Sequence, residues 1–155
     1  MHPRELLAQL SIASGDQAGA AEQYRRIIAI QPNNAIALNN LAYDIAVREK
    51  KPADAVGMAR KALSLSPREP TILDTVGWIE YLLGNTAEAA KLLVQASRGA
   101  PNNAEIRLHT AFALASQGAR AAADVELAAA LKLAPALEKR PDVQDLKTKL
   151  QANQN

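Results

Sequence analysis

Small and large apolar residues return along this chain every 34 to 35 positions. Ala8, Ala42, Gly77 and Ala111 form one row of small residues. Ala20, Ala55, Ala89 and Ala123 form a second, and Ile27, Ala62, Ala96 and Ala130 a third. Larger residues stand beside them, with Leu7, Leu41 and Val76 in one row and Tyr24, Leu93 and Leu127 in another. Pro32, Pro67, Pro101 and Pro135 punctuate the same interval. Self-similarity at this period marks an array of stacked helical hairpins. Two antiparallel helices approach closely only where both carry small side chains, and the larger residues fill the groove beside the contact. The pattern therefore predicts four hairpins in one all-α array.

The punctuation supports that reading. Gly15, Gly84 and Gly118 fall where the first helix of a hairpin should end, and the four prolines end the second helices. Asn33-Asn34 and Asn102-Asn103 offer N-caps to the helices that follow, and Asn85 with Glu88 resembles a capping box. The second unit departs from the pattern. It carries one extra residue around Glu49-Lys50-Lys51-Pro52, has no turn glycine, and places Ala59 where its neighbours have a large residue. A looser turn is expected there. Ser11 and Glu80 occupy a row that should be apolar.

The two ends differ. Pro141, Asp142, Val143, Leu146 and Leu150 read as an amphipathic helix that covers the last hairpin, followed by a frayed tail. Leu6, Leu7 and Leu10 begin at once as part of a first helix, with no cap before them. Either preceding repeats cover that flank, or Leu6 and Leu10 associate with another molecule, a second copy of the chain included.

Leu41-Ala42, Val76-Gly77, the alanines Ala55, Ala89 and Ala123, and the terminal prolines resemble the tetratricopeptide repeat over residues 4 to 135. The resemblance implies a right-handed superhelical stack of four hairpins, about 1–34, 35–69, 70–103 and 104–137, with a capping helix and tail over 138–155. A narrower likeness joins Leu73-Asp74-Thr75-Val76-Gly77-Trp78 and Pro101-Asn102-Asn103-Ala104-Glu105-Ile106-Arg107. These phrases resemble the C-terminal repeats of bacterial lipoproteins associated with exosortase and exopolysaccharide export.

Composition narrows the chemistry. Hydrophobic residues make up 48% of the 155 positions but aromatics only 3%, so the interior must be built from Ala, Leu, Ile and Val. A net charge of +2, with both signs interspersed, argues against a nucleic-acid surface or an anionic-membrane anchor. No cysteine is present, which excludes disulfides and thiolate chemistry and leaves the compartment open between cytoplasm and periplasm or envelope. No apolar run reaches the ~20 residues of a membrane span, and Met1-His2-Pro3-Arg4 does not read as a signal peptide. Phosphate loops, nucleophile motifs and metal-ligand spacings are missing, so neither catalysis nor a cofactor is expected. His109, with Glu105 one turn back, reads as a polar residue on an exposed or groove-facing helix.

One row of the first helices reads Gln9, Tyr43, Trp78 and Phe112, and holds three of the five aromatic residues. The family resemblance implies that this row faces a concave groove, that Tyr81 widens it, and that Asn39, Asp74 and Leu108 lie at its margin. Such a groove suits an apolar or amphipathic segment of another protein, with a neutral to acidic margin for a few basic residues. The competing reading makes the same rings a core row between first helices. The lysines that clamp acidic C-termini in some members of the family are missing, and the alternative role is self-assembly through Leu6 and Leu10.

Overall fold

A computed structural model describes Leu7 and residues 15–152. Leu6, Gln9, Leu10 and Ser11, and with them the proposed self-association flank and most of the first predicted helix, lie outside the described residues. Leu7 itself is half exposed, unlike Leu41 and Val76 in its row. All elements among the described residues are helical, and they form two compact units, Met1–Arg68 and Glu69–Asn155.

In the first unit α1 (Gln17–Ile30) is followed by α2 (Ala35–Tyr43) and α3 (Pro52–Leu65). Ala20, Ala21, Tyr24, Ile27, Ala37 and Leu41 form its core, with Ile45 and Met58 packed against them. Burial pushes the Tyr24 phenol up, opposed by the hydrogen bond that Asn40 Nδ2 donates to its oxygen at 2.9 Å. Asn34 caps α2 as predicted, its side chain accepting from the Ala37 amide. The extra residue of this hairpin is absorbed by a π-helical turn over Asp44–Arg48 that continues α2. Lys51 then donates its amide to the Ile45 carbonyl, and Lys50 takes the left-handed conformation, φ 57°, that glycine takes elsewhere. The turn is thus defined rather than loose.

The second unit contains α4 (Pro70–Leu82), α5 (Thr86–Gly99), α6 (Ala104–Ser116), α7 (Arg120–Leu133), a 3-10 turn over Pro135–Lys139 and α8 (Pro141–Gln151). Gly77 permits a close approach of α4 and α5. A Cβ there would stand 2.7 Å from Leu93 Cγ. Gly84 and Gly118 adopt positive φ and close the first helices. The Gly84 amide bonds to the Tyr81 carbonyl and the Asn85 amide to that of Glu80. Helices α5 and α7 end two residues before Pro101 and Pro135, as α1 and α3 do before Pro32 and Pro67. A proline disfavours helical backbone in the residue before it.

Two expectations need correction here. Asn85 forms no capping box with Glu88: its side chain makes no cap hydrogen bond, and its Nδ2 donates to the buried Glu80 carboxylate at 2.7 Å. That bond explains how an acid occupies a row expected to be apolar. Leu108 is not at a groove margin. It is fully buried with Ala111, Leu127, Val143, Leu146 and Leu150, where α8 covers α6 and α7.

Candidate functional site

Helix α4 carries Asp74, Trp78 and Tyr81 on successive turns, and α6 carries His109 and Phe112 one turn apart. Spacings of three and four residues put each set on one helix face. The two faces meet within the second unit. The Trp78 indole stacks on the His109 imidazole at 4.0 Å between ring centres and 15° between planes, and on the Tyr81 ring at 4.8 Å and 13°. Phe112 lies tilted against both Trp78 and Tyr81, at 5.8 and 6.2 Å. These are separations at which aromatic pairs attract beyond the effect of simple burial.

Asp74 and His109 are joined by a 2.9 Å contact between Oδ1 and Nδ1, and both are buried. This corrects the expectation for both residues. His109 is buried rather than on an exposed or groove-facing surface, its partner being Asp74 and not Glu105, and Asp74 is not at a groove margin. Glu105 instead faces outward to Arg140 at 3.2 Å. Asn39 is buried too, donating weakly to Asn40 at 3.3 Å while its own Oδ1 has no partner among the described residues. Tyr43, in the first unit, is 38% exposed.

A pocket of 460 Å³ opens beside this cluster, with apolar lining from Tyr81, Phe112, Leu146 and Leu150. Asp142 and Asp145 face it together with Arg120 and Lys149, so its charge is balanced. Burial pushes the Tyr81 phenol up, and the Asp142 carboxylate adds to the shift. The hydrogen bond from Arg140 to Asp142, 2.7 Å, holds that carboxyl below its usual range against the opposing effect of partial burial. Trp78, named from the sequence as a groove residue, stands behind Tyr81 and Phe112 and does not line the pocket. Sequence reasoning missed the part played by α8 and the Asp74–His109 pair. A signal for the pair existed: the two residues stand in adjoining rows of successive repeats, one period plus one residue apart.

Among the described residues no group of three or more His, Asp or Glu converges as a metal site, and no helix is long and apolar enough to cross a membrane.

The chain folds as an all-helical solenoid of the tetratricopeptide-repeat type. No family model matches the chain. It is 37% identical over 109 residues, 70% of its length, to a TPR repeat-containing protein of Pseudomonas aeruginosa, and spans 18% of that protein. A thermophilic TPR protein of Thermus thermophilus superposes with a TM-score of 0.66 at 24% identity, covering 93% of this chain and 78% of its own. PilW, a type IV pilus biogenesis factor, superposes at 0.68 with 20% identity over 97% of this chain and 76% of its own.

Proposed function

We propose that the protein is a non-catalytic scaffold whose second unit binds an apolar or amphipathic segment of a partner protein in the pocket between α4, α6 and α8. The observation that carries this reading is an open cavity with two aromatic walls, Tyr81 and Phe112, on a helical framework. Its size falls within the range of ligand pockets, and balanced charge around it lets apolar contact dominate. Rigid rings contribute large contact area at small entropic cost. The sequence-derived groove row enters through Phe112 directly and through Trp78 as support, while Asp74 and Leu108 serve the interior.

Selection of a displayed peptide library against the intact protein tests the reading. Enriched peptides should carry apolar or aromatic anchors. Their affinity for Tyr81→Ala or Phe112→Ala protein, each checked by circular dichroism for folding, should fall by ~2 kcal/mol, about 30-fold. Affinities unchanged in both variants would refute it.

A further inference from the structure

We infer that His109, held by Asp74, is a positioning residue that sets the aromatic walls of the pocket through Trp78. The inference deepens the proposed binding role and rests on it for its biological meaning. None of the three residues lines the cavity, yet all three are linked to it through successive contacts.

The first link is the hydrogen bond. A carboxylate oxygen only accepts, so the Nδ1 that faces Asp74 Oδ1 at 2.9 Å carries the hydrogen, and Nε2 is left for other use. Both groups are buried, and a buried polar group without its partner is costly, so the pair holds the imidazole in one rotamer. The second link is the stack. At 4.0 Å and 15°, the fixed imidazole defines the plane in which the indole can lie. The third link runs from the indole to the two wall residues, Tyr81 at 4.8 Å and Phe112 at 5.8 Å. An apolar residue at 109 could fill the same space, but it would leave Asp74 buried without a donor and the indole without an oriented neighbour.

Trp78 is the only tryptophan, so its spectra report this linkage with no partner present. Asp74→Ala should diminish the near-ultraviolet circular dichroism of the indole and raise its quenching by acrylamide. Asp74→Asn, which still presents an oxygen to Nδ1–H, should restore both toward wild type. Asp74→Leu, which fills the space but offers no acceptor, should not restore them, whereas a space-filling role alone would be met by leucine as well as by asparagine. In the unmodified protein, nitrogen-15 NMR should show His109 with a protected proton on Nδ1, a measurement that does not depend on any variant folding. An unprotonated Nδ1, or an Asp74→Ala protein with wild-type indole spectra, overturns the inference. If those spectra change as expected while Tyr81→Ala and Phe112→Ala both leave selected peptides bound, the positioning stands and the binding role fails. The reverse pattern removes the positioning and keeps the binding role.

Discussion

Gly77 shows how one side chain sets a helix separation. A methyl group at this position would meet Leu93 Cγ at 2.7 Å and the Ala89 carbonyl oxygen at 3.3 Å, with Leu93 itself fully buried. Gly77→Ala should therefore force α4 and α5 apart and cost ~1 to 3 kcal/mol, despite the better helix propensity of alanine. Thermal denaturation checks this, and a raised midpoint would show that Leu93 can turn aside. The small-residue rows were legible because steric exclusion acts on residue size, and size can be read from the chain: Ala42, Ala55, Ala89, Ala111 and Ala123 are all buried. His109 was not legible in the same way. Its burial depends on which acid comes within hydrogen-bond distance, and both Asp74 and Glu105 stood at plausible spacings. Glu105 lies on the same helix and Asp74 on a neighbouring one, and periodicity does not resolve which of them the imidazole meets.

At the scale of elements, the hairpin turns answer one problem in two ways. Gly84 and Gly118 reverse the chain with a left-handed residue and a pair of closing hydrogen bonds, whereas the second hairpin fits an added residue by widening the last turn of α2. Its left-handed residue is Lys50, and a side chain in that conformation costs ~1 kcal/mol or more relative to glycine. Lys50→Gly should consequently stabilise the protein by about 0.5 to 1 kcal/mol, after allowance for the greater freedom of glycine in the unfolded chain. Chemical denaturation with an unchanged m-value would register it, and a destabilised variant would mean that the lysine contributes contacts that outweigh its strain. The insertion itself was visible as a broken interval before Pro52, but its placement was not. The extra residue was expected to loosen the turn, because hydrogen bonding five residues back is rarely signalled by sequence. Helix α8 was legible in full, since Pro141, Val143, Leu146 and Leu150 mark both its start and its buried stripe.

Across the whole molecule, each unit has its own small core, and in the second unit the element that completes the core also completes the pocket. Leu146 and Leu150 are buried against Leu108 and Leu127, and the same two residues line the cavity facing Tyr81 and Phe112. Covering an apolar flank requires only an amphipathic stripe, which explains why the sequence announced a cap. That the cap also supplies a wall depends on how far its side chains extend past the last hairpin, a distance no spacing encodes. A direct consequence is that stability and recognition are coupled at one residue. Leu146→Ala should remove about 2 to 5 kcal/mol from the stability of the second unit, as truncations of buried leucines do, and should enlarge the cavity. Leu146→Met, which conserves volume, should cost under ~1.5 kcal/mol and leave the wall in place. Denaturation measured beside the affinity of a selected peptide then separates the roles. If the alanine variant loses both and the methionine variant neither, α8 is a cap and a wall together. If peptide affinity is untouched while stability falls, α8 serves only to cover the flank, and a partner must be held by Tyr81 and Phe112 alone.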